Sequence, residues 1–499
     1  MSIVFEKVWN PNSLESDFMK SPSALSASSL CLLPALEIAQ LVNSKEVSAV
    51  EVMYEHAERI QRLNPALNAF AHLDLERAFE EARRIDSGCI HGSAEGVLLG
   101  VPVTIKSCID VEGLRCAVGS RLRSDYVPAS SATLVTRLKR AGAIVIGNTT
   151  TPEMLMAYHT ENEIHGRTNN PWDLSRTPGG SSGGEAAAIS SCMSAGGFGS
   201  DGGGSIRVPA HFTGICGLKP TPGLIPADGH YPACAGPFSL IGVVGPMART
   251  VKDLQLLFAV TAGCESADPG AVPAPGKAQD SGRMKQLRIG YYEDDGESGS
   301  DCKTAEVVRS AASALRNAGF VVEPFRPKGL ARARELWAVI FVEAGALLLG
   351  AMAQGQENDV TRNTREFIAL AAARPVLTGE RLLNTLIECD QLRLSIQEQM
   401  RDYPILLAPI CSMPAFLHQD AGWGPEHAAD YLRTMSYCQH YNLLGNPAAT
   451  VPVGQSAEGL PIGVQIIGRP YKDHEVLAVA NILNQQYKWR EPPLCRAND

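Results

Sequence analysis

Two serines stand inside glycine clusters and could supply the nucleophile of an acyl transfer. Ser181 lies in PGGSSGGE, and Ser205, 24 positions later, lies in SDGGGSIRVP. Glycine allows left-handed backbone and lets a ligand come close to main-chain N–H groups. A hydroxyl beside free N–H donors is what acyl transfer requires, because the donors stabilise the oxyanion that forms on the attacked carbonyl.

Lys106 is a candidate general base for these serines. It ends the apolar, β-branched run VLLGVPVTIK, which predicts a buried strand. Burial disfavours the charged amine and would bring its pKa from about 10.4 to about 7–8, where a neutral lysine accepts a proton from serine. Taken alone, a lysine at a strand end is also typical of a surface side chain whose ammonium reaches water.

Other interpretations of the same residues are less consistent with their surroundings. The match of 179–183 to G-x-S-x-G lacks the apolar strand that precedes a nucleophile elbow. Residues 199–204 lack the G-K-[S/T] end of a phosphate loop. Simple tight turns would explain the glycines but not the serines. His159, His165 and His211 are rival bases, but the sequence indicates no carboxylate partner, which favours structural or pocket-lining roles.

The elements around these residues alternate between strands and helices. Residues 97–106 and 143–147 read as strands, and 133–142 reads as the helix between them. This order predicts a parallel sheet wrapped by helices. The alternation resumes near residue 287 and is interrupted by a strand-free helical segment that ends near residue 401.

Composition excludes several classes of protein. The chain has 499 residues, a length typical of about three domains, and 45% of them are hydrophobic, enough for a large core. A net charge of −9 argues against a nucleic-acid partner. The 13 cysteines are scattered without a CxxC pair, which disfavours a zinc cluster or a disulfide scaffold and favours a reducing, cytoplasmic location. The charged, proline-containing N-terminus does not resemble a secretion signal.

The apolar segment 336–352 tests whether the chain crosses a membrane. It has 17 residues with Glu343 near its centre. That length is short for a span, and a central charge is costly in lipid. We expect a buried or half-buried helix and no stable membrane insertion. Contact with a membrane surface or a lipid-like substrate remains the alternative.

Four stretches of the chain together resemble the amidase signature family in their order and spacing. They are VTIK (103–106), TPGGSSGGEAAA (177–188), GSDGGGSIRVPAHFTGICGLKPT (199–221) and GLPIGVQIIGRP (459–470). The resemblance implies a large mixed, mainly parallel twisted β-sheet covered by helices on both faces. It also implies an N-terminal arm at 1–32, a single domain at 33–490 and a C-terminal tail at 491–499. Within the domain, 329–402 would be a helical insert forming part of the substrate pocket.

The resemblance implies a Ser–cis-Ser–Lys triad that needs no metal or cofactor. Ser205 would be the nucleophile, Ser181 the proton relay and Lys106 the base. Ser181 would be held by a cis peptide bond with Gly180, and the main chain at Leu155 would line the acyl site.

The loop that carries the nucleophile would also stabilise the oxyanion. The N–H groups of Gly202, Gly203, Gly204 and Ser205 would form the oxyanion hole. Asp201 and Arg207 would pair to fix the loop.

Three residues depart from the family's usual pattern. Ser107 stands where many members have aspartate, and Ser200 stands where threonine is commoner. Gly202 replaces a larger residue, which predicts a looser or wider oxyanion loop. None of the three removes a catalytic group.

These features predict a serine-type hydrolase that cleaves a carboxamide C–N bond and releases a carboxylate and an amine or ammonia. Esters and carbamates fit the same chemistry. The apolar insert favours a small-molecule amide with a hydrophobic or aryl group, and a homodimer is left open. The alternative is the glutaminase subunit of a tRNA-dependent amidotransferase. A catalytically silent binding protein is disfavoured by the intact triad.

Overall fold

The fold is built around a large β-sheet, and several candidate site residues lie at the ends of its strands. The computed structural model describes residues 27–88, 96–264, 267–274, 286–424 and 427–496. Residues 1–26 of the predicted arm and 497–499 of the predicted tail lie outside the described ranges. The described strands are β1 Phe70–Leu73, β2 Pro102–Lys106, β3 Ile144–Thr149, β4 Glu161–Asn162, β5 Gly166–Arg167, β6 Gly196–Asp201, β7 Cys216–Lys219, β8 Val243–Ala248, β9 Arg288–Tyr291, β10 Val321–Pro324, β11 Ile405–Pro409, β12 Ala448–Gln455 and β13 Pro461–Gly468.

The main sheet is mixed and has eleven strands in the order β1-β3-β2-β6-β8-β7-β12-β13-β11-β9-β10, while β4 and β5 form a separate hairpin. Parallel pairing joins β3, β2 and β6 towards one edge of the sheet, and β11, β9 and β10 at the other. The central ladders from β6 to β11 are antiparallel. The predicted α/β class with a large mixed sheet is confirmed, and parallel pairing is concentrated in these two groups.

Helices cover both faces of the sheet. They are Ala35–Asn43, Ala49–Leu67, Leu75–Asp86, Thr133–Arg140, Gly183–Ser190, Arg207–Thr213, Val251–Thr261, Cys302–Asn317, Leu330–Ala338, Gly345–Ala353, Arg362–Ala372, Gly379–Gln399, Ala428–Thr434, Ser436–Leu443, Asp473–Gln486 and Pro493–Arg496. Successive side chains of a strand point to opposite faces. In β11, Ile405 and Leu407 join one core and Leu406 and Ala408 join another, so this strand separates two hydrophobic layers.

The ends of the described chain are packed against the body of the protein. A 3-10 helix at Ala27–Leu32 buries Leu30 and Cys31. Near the other end, Cys495 is buried and Glu491 forms an ion pair of 2.7 Å with Arg59. The described parts of the predicted arm and tail therefore contribute to the core.

The predicted insert consists of helices joined by short connections, without a strand. Its apolar part is a continuous helix over Leu330–Ala353, α-helical at both ends and π-helical over Val339–Ala344. By length and composition this helix could span a membrane, with a mean hydropathy of 2.0, but 56% of its most apolar window is buried inside the protein. Glu343 is 4% exposed and pairs with Arg381 and Arg374. Burial and ion pairing are typical of a helix that packs within the protein.

Candidate active site

Lys106 is buried at the end of β2 and points towards the first serine cluster. Its Nζ donates hydrogen bonds to Ser181 Oγ at 2.6 Å and to Ser200 Oγ at 3.0 Å. The side chain is fully buried. Burial lowers its pKa from 10.5 to about 8, although Cys108 and Asp201 oppose this shift. The surface alternative for Lys106 is therefore wrong, because the amine ends at a serine rather than in water.

Ser181 follows a cis peptide bond with Gly180 in the loop before the helix Gly183–Ser190. A Cβ atom at Gly180 would lie 2.5 Å from the carbonyl oxygen of His159, so the loop passes too close to other backbone for any side chain there. The N–H of Ser182 donates to the carbonyl oxygen of Ser205 at 3.1 Å. This bond ties the two serine clusters together.

The carboxyl of Glu185 anchors the helix that follows Ser181. It accepts hydrogen bonds from the hydroxyls of Thr104 in β2 and Thr149 in β3. The group is fully buried, and this burial raises its pKa to about 8. The contact fixes the helix against the strand that ends in Lys106.

Ser205 lies between the end of β6 and the helix Arg207–Thr213. It is 9% exposed and lines a cavity of about 80 Å³ together with Ser181 and Gly202. Among the described residues, no hydrogen bond joins Ser205 Oγ to Ser181 Oγ. Contacts between catalytic groups are often long until a substrate binds. The structure thus brings Lys106, Ser181 and Ser205 to one place, with Ser205 at the cavity.

The loop between β6 and Ser205 presents free donors. Within the described ranges, the N–H groups of Gly202, Gly203 and Ser205 have no protein acceptor. The N–H of Gly204 instead donates to Asp201 Oδ1 at 2.7 Å. The prediction that Gly204 supplies an oxyanion donor is therefore wrong, because its N–H is already used inside the loop.

Gly204 serves the loop through its conformation. Its φ is +122°, and a Cβ atom would lie 2.8 Å from the Cβ of Cys438. Both conditions exclude a side chain. Glycine is thus required at this position for the turn rather than for a donor.

Asp201 and Arg207 form a buried ion pair beside the loop. Arg207 Nε donates to Asp201 Oδ2 at 3.0 Å, and both side chains are fully shielded from solvent. The N–H of Ile206 and the amide of Asn442 also donate to the carboxylate. Desolvation alone would raise the pKa of Asp201, but the guanidinium outweighs it and holds the pKa well below its ordinary 3.8. A buried pair with these extra hydrogen bonds gives one geometry to the loop.

Two aromatic side chains that the sequence did not single out hold the carbonyl groups of this loop. Trp337 Nε1 donates to the oxygen of Gly202 at 2.7 Å. Tyr158 OH donates to the oxygen of Gly203 at 3.0 Å. In a planar trans peptide the C=O and the following N–H point in opposite directions. Trp337 holds the carbonyl of Gly202 and thereby fixes the direction of the N–H of Gly203. In the next peptide, Tyr158 binds the carbonyl oxygen of Gly203 and Asp201 binds the N–H of Gly204.

The cavity beside Ser205 has mainly apolar walls. They include Leu155, Met156, Phe238, Ile241, Phe341 and Leu348. Leu155, predicted to lie at the acyl site, has a left-handed backbone with φ of +68°. Larger cavities of about 740 and 940 Å³ lie along the insert and beside β9 and β10, and neither is lined by a triad residue.

The three departures from the family pattern have different consequences. Ser200 takes a direct part, since its hydroxyl accepts from Lys106. Ser107 is buried, and its N–H donates to the carbonyl of Thr149 at 3.1 Å. At Gly202, a Cβ atom would lie 3.3 Å from the ring of Phe341. The space beside Gly202 is thus occupied by an aromatic ring, which differs from the wider loop that the sequence predicts.

The histidines considered as rival bases bond to other parts of the protein. His211 Nδ1 accepts from the N–H of Gly463 at 2.8 Å. His159 Nδ1 lies 2.9 Å from Tyr431 OH. Burial lowers the pKa of His159, His165 and His211 to about 4. Among the described contacts none reaches Ser205, which supports structural roles.

The sequence of this chain matches a family model and several known proteins. The family model described as Amidase matches residues 51–477. The chain is 32% identical over 474 residues to a glutamyl-tRNA(Gln) amidotransferase subunit of Gloeobacter violaceus, covering 90% of this chain and 96% of the relative. It is 30% identical over 495 residues to human fatty-acid amide hydrolase 2, covering 92% and 90% of the two chains.

Among solved structures, 6-aminohexanoate cyclic dimer hydrolase has a TM-score of 0.82 and 28% identity, covering 93% of this chain and 99% of its own. The relatives thus include both amide hydrolases and a component of an amidotransferase. Because the family model extends over most of the sequence, the chain belongs to the amidase family, the amidase signature enzymes that cleave carbon–nitrogen bonds of amides.

Proposed function

We propose that the chain hydrolyses a small carboxamide through an acyl-enzyme on Ser205. The observation that carries the proposal is the buried contact of 2.6 Å between Lys106 Nζ and Ser181 Oγ, next to a serine that opens into a cavity. A lysine whose pKa lies near 8 is partly neutral at neutral pH. Only the neutral amine has a lone pair that accepts a proton.

Acylation begins with proton transfer along the serines. Lys106 accepts the proton of Ser181 while Ser181 accepts the proton of Ser205, whose Oγ attacks the carbonyl carbon. The tetrahedral oxyanion is stabilised by the N–H groups of Gly202, Gly203 and Ser205. The proton then returns through Ser181 to the leaving nitrogen, and the C–N bond breaks to release an amine or ammonia.

Deacylation uses the same groups in the same order. A water molecule replaces the amine, gives its proton to the relay and attacks the ester carbonyl. The second tetrahedral intermediate expels Ser205, which recovers its proton, and the carboxylate leaves. Esters and carbamates fit the same steps, because each presents a carbonyl with a leaving group.

The apolar cavity walls support a substrate with a hydrophobic or aryl group. Phe238, Phe341 and Leu348 would pack against such a group without leaving polar atoms unpaired. Phe341 and Leu348 come from the insert, which supports 329–402 as the pocket-forming part of a single domain at 33–490. Human fatty-acid amide hydrolase 2 and 6-aminohexanoate cyclic dimer hydrolase, whose names describe amide substrates, favour the same class.

The second candidate function is the glutaminase subunit of a tRNA-dependent amidotransferase. The identity of 32% to the amidotransferase subunit of Gloeobacter violaceus supports it and would require partner proteins. The net charge of −9 is unfavourable for a chain that binds tRNA by itself. Hydrolysis of an aryl or fatty amide by the purified chain alone would support the first candidate. Ammonia release from glutamine that appears only with partner proteins would support the second.

The triad is tested with a substrate-independent probe. Wild-type protein is expected to react covalently with a fluorophosphonate, and Ser205→Ala is expected to abolish this reaction. Ser310→Ala, which changes an exposed serine on the helix Cys302–Asn317, is the matched control and should keep full labelling. Undiminished labelling of Ser205→Ala would contradict the assignment.

Cytoplasmic location and a homodimer remain part of the proposal. Location is measured by cell fractionation, and the oligomeric state is measured by sedimentation.

A further inference from the structure

A thiol–imidazole cluster borders the cavity into which Ser205 opens. Cys234 Sγ lies 3.6 Å from His230 Nδ1, and both residues line the cavity. Cys108 is fully buried, and its Sγ lies 3.6 Å from the hydroxyl of Ser200. The proposed mechanism uses none of these three groups.

His230 Nδ1 lies close to a backbone carbonyl and to the sulfur of Cys234. This nitrogen lies 2.7 Å from the carbonyl oxygen of Pro232. A carbonyl only accepts, so Nδ1 carries a hydrogen that it donates to Pro232, and the sulfur of Cys234 lies 3.6 Å from the same nitrogen. His230 is 9% exposed, and its Nε2 has no hydrogen-bond partner among the described residues.

The charge state of His230 strengthens this contact. Burial alone would lower its pKa, but Cys234 and Cys108 outweigh burial and raise the pKa well above 6.5. The protonated imidazole places a positive charge beside the sulfur of Cys234. The cluster therefore places a hydrogen-bond donor and a sulfur atom beside a cavity through which a reagent can reach them.

Cys234 is the member of the cluster that a reagent can reach. It is half-buried, whereas Cys108 is closed off from solvent. The cavity has a volume of only about 80 Å³, so a group attached to Cys234 would occupy space that the substrate needs. Modification of this sulfur would then block the reaction of a substrate with Ser205.

We propose that Cys234 is a modification site that closes the active site when it forms a mixed disulfide with a small disulfide or thiosulfonate. In this step the Cys234 thiolate attacks the electrophilic sulfur. A new S–S bond forms, the old bond breaks, and the leaving thiolate or sulfinate departs with the electron pair. The thiol proton goes to solvent. A free thiol reverses the modification by the same exchange.

The chemical part of the proposal is tested without reference to catalysis. The purified full-length protein is treated with methyl methanethiosulfonate, and the modified cysteines are followed by peptide mass mapping. Cys264 is the internal control, because it is exposed. We expect Cys234 to react faster than Cys264, since its sulfur lies 3.6 Å from the positively charged ring of His230 in an open cavity. Equal or slower reaction of Cys234 would overturn the proposal.

The inhibitory part rests on the proposed function and is read from fluorophosphonate labelling of Ser205. Modified wild-type protein should lose labelling and regain it with dithiothreitol. Cys234→Ser should keep its own untreated labelling rate after the reagent, whereas Cys264→Ser should remain sensitive. Full labelling of wild-type protein whose Cys234 is completely modified would overturn the proposal.

A further measurement uses only wild-type protein and separates the two proposals. Protein already labelled on Ser205 with an aryl fluorophosphonate should show slower modification of Cys234 and unchanged modification of Cys264. Equal rates before and after labelling would place Cys234 outside the cavity and overturn the inference. If untreated protein does not label at all, the proposed function fails, while the mass mapping still decides whether Cys234 is reactive.

Discussion

At the scale of single residues, burial lowers the pKa of Lys106 towards the range in which it could act as the proposed base. Cys108 and Asp201 favour the charged form of Lys106, yet desolvation outweighs them and leaves its pKa at about 8. The sequence predicted this direction from the apolar run before Lys106. It could not identify Ser200 as the second hydrogen-bond partner, because that contact depends on how β2 and β6 pair.

The pH dependence of the reaction should report the protonation of Lys106. Its neutral form is the active one, so activity should rise with pH through about 8 and fall on acidification. At two pH units below the pKa, about one hundredth of the amine is neutral, and kcat/KM should fall accordingly. The measurement is kcat/KM from pH 6 to 9.5 on an amide without ionisable groups.

Circular dichroism over the same pH range controls for unfolding. A rate that stays flat from pH 6 to 9 while the fold persists would contradict a base whose pKa is lowered to about 8. A rate that falls with increasing pH would do the same.

At the scale of secondary-structure elements, β6 shows why one strand escaped prediction. Its sequence, GGFGSD, has one apolar side chain and no β-branched residue. The reason is close packing: a Cβ atom at Gly197 would lie 2.0 Å from Glu185 Oε1 and 2.2 Å from the carbonyl oxygen of Thr104. Glycine is required because the helix Gly183–Ser190 and strand β2 pack closely against β6, and both lie outside its local sequence.

Gly197→Ala should therefore destabilise the protein strongly. The added methyl group would meet backbone that cannot move away, and overpacking of this kind costs about 1–3 kcal/mol or more. The measurement is the free energy of unfolding in denaturant.

Gly350→Ala is the matched control for this substitution. Gly350 lies in the helix Gly345–Ala353, and a Cβ atom there has no neighbour within 4 Å. Alanine at such a position should stabilise by about 0.5–1 kcal/mol. Equal effects of the two substitutions would contradict the packing argument.

The oxyanion loop is positioned by other elements, and Tyr158→Phe tests this. The substitution keeps the ring but removes the donor to the carbonyl of Gly203. The loop should lose its single orientation, and kcat should fall by about tenfold to a hundredfold with a smaller change in KM. Tyr471→Phe, at a tyrosine that is 51% exposed, should leave both constants unchanged. A KM effect alone would indicate a pocket role instead.

At the scale of the whole molecule, the insert decides whether the protein associates with lipid. The helix Leu330–Ala353 is apolar enough to span a membrane, but it is largely buried and Glu343 within it is ion-paired. We expect the purified protein to remain at the bottom of a flotation gradient with phosphatidylcholine vesicles. The reason is that more than half of its most apolar window already faces protein, although Leu347 is exposed.

Two further samples make the flotation result decisive. The protein centrifuged without vesicles gives the baseline position in the gradient. Vesicles that contain anionic lipid test whether electrostatic attraction contributes to binding. Flotation of the protein with neutral vesicles would contradict the interpretation of this helix as the wall of the pocket.

The sequence by itself determined the chemical types at the site. The motifs around Lys106, Ser181 and Ser205, with the C-terminal stretch 459–470, predicted the family. Hydrophobic patterning predicted the α/β class and strands such as 97–106 and 143–147. These features are local, because hydrophobic periodicity and turn residues act within a few positions of one another.

The tertiary structure alone decided which donors remain free and what holds them. It removed Gly204 from the proposed oxyanion hole, brought Trp337 and Tyr158 to the carbonyls of the loop, and added Asn442 to the pair of Asp201 and Arg207. Trp337 lies 135 positions from Gly202 in the chain. Such contacts follow from the packing of distant helices and strands, and no local pattern of residue types encodes them.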